Sequence, residues 1–166
     1  WDFIGNGFTS GDFEPVVPPF SNTGTETDTI IARLVAYGEN NPEHQACADT
    51  HNVRIMVFPE LDIDYGLDMT ESCQPFMSNI TPVVNLTGGN SYVWTLDSTF
   101  YSSAGNPPPL NVENLTDFDA THSLRFSGQS KHGCRDTALY SFDVYALVDA
   151  GFTINRSGIA SSAERC

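Results

Sequence analysis

The sequence predicts an all-β fold: a single antiparallel β-sandwich with jelly-roll or Greek-key connections and an extended N-terminal arm. Short segments rich in β-branched and aromatic residues are separated by turn clusters of Gly, Pro and Asn, such as YGENNPEH and SAGNPPP. Several of these segments alternate apolar and polar residues with the period of two that half-buried strands have. No long window carries the 3.6-residue apolar repeat of a helix, and no internal repeat is visible.

Residues 1–28 form the predicted arm. Their mixture of aromatic residues with Gly, Pro, Asn and Thr disfavours a helix and fits an extended chain that contributes an edge strand or an exchanged strand. Residues 29–166 form the predicted sandwich domain, since a chain of 166 residues is long enough to bury one core.

The first two strands after the arm are predicted at residues 30–37 and 52–58. Both alternate sets of side chains in 30–37 are largely apolar, which fits a buried strand or a short helix. The β-branched residues at 29–31 favour the strand. The second segment places Val53, Ile55 and Val57 on one side, and the strand stops at Pro59.

Four further strands are predicted at residues 91–103, 122–128, 140–149 and 151–158. The third of these has the clearest period-two pattern, with Ser141, Asp143 and Tyr145 facing away from the apolar side. The apolar side consists of Tyr140, Phe142, Val144, Ala146 and Val148.

The charge balance limits the partners of this protein. Twenty-one acidic residues oppose seven basic ones, and the formal net charge is −14. Nucleic acids and anionic membrane surfaces would be repelled, whereas cations would be attracted. No apolar run has the length of a membrane helix, so direct membrane insertion is not expected.

The four cysteines, Cys47, Cys73, Cys134 and Cys166, form no CxxC motif, and an even number favours two disulfides in an oxidising, extracellular compartment. Three pairings exist, of which Cys47–Cys73 with Cys134–Cys166 is favoured because it closes the shortest loops. A zinc or copper site that includes Cys47 and the neighbouring His44 and His51 is the alternative.

Four Asn-x-Ser/Thr sequons are consistent with a secreted glycoprotein, and they make glycan attachment a hypothesis for each asparagine. The four asparagines are Asn79, Asn85, Asn114 and Asn155.

The segment DIDYGLDMTES is a candidate calcium site. Asp62, Asp64 and Asp68 alternate around Gly66, and carboxylate oxygens are the ligands that calcium prefers. The twelve-residue EF-hand pattern is not met, because Gly66 stands where a ligand belongs. An acidic turn between two strands is the alternative interpretation.

Aromatic residues are the candidate ligand-stacking groups. Trp94, Tyr92 and Tyr101 lie in the segment 91–103 and could stack on sugar rings. The alternative is that Trp94 fills the core. No catalytic motif is present, since the sequence has no GxSxG nucleophile elbow and no phosphate-binding loop, so we do not expect an enzyme.

Residues 119–126, DATHSLRF, resemble a late strand of secreted bacterial β-sandwich proteins that carry an exosortase-type (PEP-CTERM) sorting tail. The resemblance covers about the last third of the chain, and no Pro-Glu-Pro motif is present. It implies export, a sandwich fold and a role in surface or matrix material.

Two functions follow from these patterns. The first is a secreted structural protein that self-associates in a surface layer, filament or matrix, with residues 1–28 available to extend a neighbour's sheet. The second is a carbohydrate-binding module supported by calcium.

Overall fold

The computed structural model of the chain describes residues 1–38, 48–148 and 150–151. The described residues form β-strands and no helix, which confirms the predicted all-β class. Jelly-roll or Greek-key connectivity stays a prediction. The strands are β1 (Asp2–Ile4), β2 (Phe8–Thr9), β3 (Asp28–Tyr37), β4 (Ala48–Val57), β5 (Ile63–Leu67), β6 (Glu71–Cys73), β7 (Phe76–Ser78), β8 (Ile80–Val84), β9 (Ser91–Leu96), β10 (Thr99–Ser102), β11 (Leu110–Val112), β12 (Ala120–Gln129) and β13 (Arg135–Tyr145).

The first of two compact units, Trp1–Glu60, contains a four-stranded antiparallel sheet in the order β2-β1-β3-β4. The strands β3 and β4 pair along their whole length, from Asp28 opposite Val57 to Tyr37 opposite Ala48. The strand β1 pairs with β3 over residues 31–33 only. The predicted arm, residues 1–28, therefore contributes β1 and β2 to this sheet.

The core of the first unit is small. Phe3, Ile30 and Ala32 are its buried residues, and the Phe3 ring lies 5.6 Å from that of Phe8 and 5.9 Å from that of Phe20. Partly buried apolar side chains that surround them are Trp1, Phe8, Val17, Phe20, Ile55 and Val57. The β-strand residues of this core lie where β3 begins and β4 ends, so the core covers one half of the hairpin.

The second unit, Leu61–Cys166, contains a five-stranded sheet in the order β10-β9-β12-β13-β6. Its long hairpin, β12–β13, is flanked on both sides, by β9 and by β6. Two smaller antiparallel sheets, β5-β8 and β7-β11, belong to the same unit. The pairing of β6 with β13 is parallel.

One continuous core joins these three sheets. Trp94, Phe126 and Phe142 of the five-stranded sheet are completely or almost completely buried, as is Phe76 of β7. Buried residues of the smaller sheets, including Ile63 of β5, belong to the same cluster. Such packing of sheet against sheet is that of a β-sandwich.

A buried asparagine connects the two strands of each long hairpin. The Asn22 side chain accepts a hydrogen bond from the Gly24 N–H and donates to the carbonyl oxygens of Glu26 and Val57, at 2.7 and 2.9 Å. The Asn114 side chain makes the same bonds with the Thr116 N–H and with the carbonyl oxygens of Phe118 and Val144. Each asparagine precedes its strand by six residues, so β3 and β12 are structurally equivalent at an offset of 92. Their partner strands are equivalent as well, because Val57 pairs with Asp28 and Val144 pairs with Ala120.

The predicted strands at 30–37, 52–58, 122–128 and 140–149 overlap β3, β4, β12 and β13. The strand β13 ends at Tyr145, so Ala146 and Val148, which were predicted on its apolar side, lie beyond it. The segment 91–103 forms two strands, β9 and β10, with a two-residue turn at Asp97 and Ser98. The segment 151–158 lies almost wholly outside the described residues.

Candidate interaction surface

The half of the β3–β4 hairpin that lies beyond the small core is uncovered. Residues 48–54 of β4 are exposed, and no described residue from 33 to 38 is buried. Val53 is 51% exposed. A two-stranded ribbon of this kind is marginally stable in water by itself, so it gains stability from any partner that covers it.

Both edges of this ribbon are open in the part of the chain that the structure describes. The strand β4 pairs with β3 alone, and its outer edge has no partner strand. On the other side, β1 ends its pairing at Arg33, so residues 34–37 of β3 have no ladder partner there. Unpaired strand edges of this kind accept additional strands.

A cavity of about 700 Å³ lies beside the open part of β3. It is lined by Trp1, Asp2, residues 10–13 and residues 33–37. Phe13 is 92% exposed and Tyr37 is 57% exposed, so apolar surface at this cavity is in contact with solvent.

Hydrogen bonds hold the cavity wall in place. The Trp1 indole N–H donates to the Phe13 carbonyl at 3.3 Å, and the Trp1 amino group donates to the Ser10 carbonyl at 2.7 Å. The Ser10 hydroxyl donates to Asp12 at 3.0 Å. Arg33 forms an ion pair with Asp2 at 3.1 Å. The carboxylate of Asp12 therefore has a hydroxyl partner but no cationic partner among the described residues.

The three predicted calcium ligands do not converge. Asp64 accepts a hydrogen bond from the Tyr140 hydroxyl, and Asp68 accepts one from the Asn79 amide at 2.6 Å. Asp62 precedes the extended strand β5 and Asp68 follows it, which separates their Cα atoms by roughly 20 Å. Among all described residues, no group of three or more His, Cys, Asp or Glu side chains could hold a metal ion.

The predicted stacking residues are structural. Trp94 is completely buried, its ring lies 3.9 Å from that of Phe126, and its N–H donates to the Ala104 carbonyl at 3.0 Å. Tyr92 packs on Phe126 as well. The Tyr101 hydroxyl donates to the Pro109 carbonyl at 2.8 Å. Trp94 therefore faces the sandwich core, which was the alternative interpretation, and its ring is not available to stack on a sugar.

The sequons differ in accessibility. Asn79 and Asn85 are exposed, and Asn155 lies outside the described residues. Asn114 is only 4% exposed, and its amide nitrogen donates to two carbonyl oxygens. The Asn114 side chain therefore stabilises the hairpin and leaves no space for a glycan in the folded protein.

The strand register excludes a Cys73–Cys134 disulfide, and with it one of the three possible pairings. Cys73 lies opposite Tyr145 at the end of β13, and Cys134 directly precedes its first residue, Arg135. The length of β13 separates them by about 33 Å, far beyond the span of a disulfide. Both are free thiols within the described residues. Cys47 and Cys166, their predicted partners, lie outside those residues, as does His44.

A polar pair that the sequence patterns did not indicate lies at the β9–β10 turn. Asp97 and Ser98 have φ values of 48° and 67°, in the left-handed region that a two-residue hairpin turn requires. This turn directs Asp97 to Nδ1 of His122 at 2.6 Å and to the Ser123 N–H at 2.8 Å. The His122 ring stacks on Phe142, and its Nε2 is buried without a partner.

Hydrogen bonds set the pKa of Asp97. Burial by itself would raise this pKa, but hydrogen bonds from His122 and Ser123 outweigh burial, and the pKa lies below its ordinary value.

Tyr65 is a further buried polar group of the second unit. Its hydroxyl donates to the Leu124 carbonyl and accepts from the Tyr140 N–H. Burial raises the pKa of Tyr65 to about 12, and the hydrogen bond from the Tyr140 backbone offsets part of that rise. The Tyr65 side chain thus connects β5 to the β12–β13 hairpin as a neutral hydroxyl.

Comparisons with known proteins do not identify a family, since no family model, no curated protein and no solved structure matches this chain. None of the described residues forms a helix that could span a membrane.

Proposed function

We propose that this protein is an extracellular structural subunit that self-associates through the uncovered half of its β3–β4 hairpin. The observation that carries the proposal is the outer edge of β4, which has no partner strand among the described residues and is exposed over residues 48–54. Natural proteins protect a long edge strand of this kind or use it to bind a further strand.

The composition of β4 supports pairing with a second copy. Its charged residues, Asp49 and Arg54, cancel, so the edge itself is neutral while the whole chain carries a net charge of −14. Two copies therefore repel each other at long range but not at this strand. We expect association to strengthen as the ionic strength rises from about 0.05 M to about 0.5 M, because salt screens the long-range repulsion.

The extracellular location rests on composition, on the even number of cysteines and on the exposed sequons Asn79 and Asn85. The calcium-supported carbohydrate-binding alternative gains no support, because the three acidic residues are separated and Trp94 is buried.

Sedimentation velocity of the variant Val53→Lys tests the proposal. A lysine on the edge strand should weaken association at least about tenfold, or ~1.4 kcal/mol, because its charge would be desolvated by an added strand. The matched control is Val93→Lys, since Val93 has a similar exposure of 45% but lies on β9 between two partner strands. Wild-type protein that stays monomeric at high concentration and high salt would contradict self-association.

A further inference from the structure

We propose that the cavity beside β3 is the acceptor site for strand β4 of a second copy, so that subunits join head to tail. This inference rests on the function proposed above and adds the partner surface that the donor strand occupies. The acceptor site is defined by Trp1, residues 10–13 and residues 33–37.

The position of the cavity indicates an extended peptide as its occupant. Five consecutive residues of β3, 33–37, line it. Successive side chains of a strand point to opposite faces, so a cavity on one face would contact only every second residue. Contact with consecutive residues places the cavity along the edge of the strand, where the backbone lies.

The edge offers the hydrogen bonds that an added strand needs. Residues 34–37 pair with β4 on one side and have no ladder partner on the other among the described residues. They span about 13 Å, and every second residue presents its N–H and C=O groups to the open side. A strand added here would lie in line with β1, on the far side of Trp1.

The side chains around the cavity match those of β4. The rings of Trp1 and Phe13 offer apolar surface, and Val53, in the exposed stretch 48–54 of β4, is 51% exposed. Burial of such side chains at an edge adds a hydrophobic contribution to the free energy of association, beyond the hydrogen bonds of strand pairing.

The charges of the two surfaces are complementary. Asp12 lies at the cavity without a cationic partner among the described residues, whereas the neighbouring Asp2 is paired with Arg33. On the donor strand, Arg54 is exposed and forms no ion pair with any described residue. A second copy in the cavity would provide Asp12 with a counter-charge.

The arrangement of donor and acceptor predicts an open polymer. The outer edge of β4 and the open edge of β3 lie on opposite sides of the sheet, in the order β2-β1-β3-β4. Each copy therefore has one donor and one acceptor surface, which face away from each other. Head-to-tail contacts of this kind generate filaments unless the rotation between copies closes a ring.

Mixing two blocked variants tests the head-to-tail contact. Val53→Lys blocks the donor strand, and Phe13→Lys blocks the acceptor by placing a cation where Arg54 should bind. Both residues are exposed, so each variant should fold, as circular dichroism would verify. Phe118→Lys is the matched control for Phe13→Lys, because Phe118 is 79% exposed and belongs to the second unit.

We expect neither blocked variant to polymerise alone, and an equimolar mixture to form a 1:1 heterodimer that grows no further. Phe13→Lys protein that assembles as well as wild type would overturn the acceptor site but leave self-association through β4 standing, as β4–β4 pairing. Wild-type protein that never associates would overturn both proposals.

A charge exchange tests the predicted contact between Asp12 and Arg54. Arg54→Asp and Asp12→Arg should each weaken assembly about threefold, as an exposed ion pair does. The double variant should recover most of the loss, because the pair is restored with reversed polarity. No recovery in the double variant would show that these two residues do not meet.

Discussion

The two asparagine-linked hairpins share a local design but differ in what surrounds them. In the second unit, β9 and β6 flank the β12–β13 hairpin, and Leu124, Phe126 and Phe142 along it are almost completely buried. In the first unit, only Ile30 and Ala32 of the equivalent β3 are buried, and β4 has no outer neighbour among the described residues. The β12–β13 hairpin thus has a partner strand on each side, whereas the β3–β4 hairpin has an open outer edge among the described residues.

This difference indicates where stability and association are located. Fourteen buried residues form the core of the second unit, whereas three form that of the first. Stability from apolar burial should therefore be concentrated in the second unit. The exposed ribbon of the first unit is the part of the molecule that gains most from a partner.

Truncation at equivalent positions of the two hairpins should give the largest difference between the units. Phe126 occupies the position that Leu34 has in the first unit, at the offset of 92. Phe126→Ala should destabilise the second unit by about 3–5 kcal/mol, because a large buried ring is lost, and Leu34→Ala the first by only about 1 kcal/mol. Urea unfolding followed by fluorescence reports on the second unit when Trp1 is replaced by Phe, and on the first unit when Trp94 is replaced by Phe. Equal costs would show that the ribbon is as well packed as the sandwich.

Removal of the buried asparagine side chains, Asn22 and Asn114, should have the next largest effect. Asn114→Ala should cost about 2–3 kcal/mol, since it leaves the carbonyl oxygens of Phe118 and Val144 without their buried donor. Asn22→Ala should cost about 1–2 kcal/mol, because β4 beside it is an open edge that water reaches. Asn111→Ala, at an exposed position of β11, is the control. Thermal unfolding measures the stability of all three variants. An Asn114→Ala variant as stable as wild type would show that the Asn114 side chain does not stabilise the hairpin.

The polar pair at His122 should give the smallest effect and the clearest pH dependence. His122 stands where the first unit has Ile30, so this pair is specific to one hairpin. Asp97→Asn should cost roughly 1 kcal/mol at neutral pH, because the Asp97 side chain is 45% exposed and solvent screens its interactions.

The sign of this pH dependence follows from the lowered pKa of Asp97. Its contribution to the free energy of unfolding is fully present above the unfolded pKa of about 3.9, and it is lost as pH falls through the lower folded pKa. The stabilities of wild type and Asp97→Asn should therefore converge as the pH falls below that unfolded pKa. A difference that does not shrink on acidification below it would exclude the ionised carboxylate as its cause.

Much of the fold could be predicted because the alternation of apolar and polar residues that marks a strand lies within a few consecutive residues. The strands β4 and β13 carry a period-two pattern in the sequence, and the β-branched residues at 29–31 favour a strand at β3. The strand β5 was missed for an instructive reason: Asp64 and its neighbours Asp62 and Asp68 alternate with Ile63, Tyr65 and Leu67. That spacing places the acids on the outer face of a strand, but it also resembles a calcium loop.

The remaining features depend on distant parts of the chain. The fate of Trp94 was open because Phe126, which covers it, lies on another strand. The hydrogen bonds of Asn22 and Asn114 could not be predicted, because their partners Val57 and Val144 lie 35 and 30 residues away in the sequence. The open edges of β3 and β4 are likewise defined by strand order, which no local pattern specifies.

Hydrogen exchange at low and high protein concentration tests most directly whether the β3–β4 hairpin is the site of association. We predict that amide protection rises with concentration in residues 34–37 and 48–54 and stays constant in the β12–β13 hairpin. Protection that rises in the second unit instead, or in neither hairpin while the protein associates, would contradict self-association through β3 and β4.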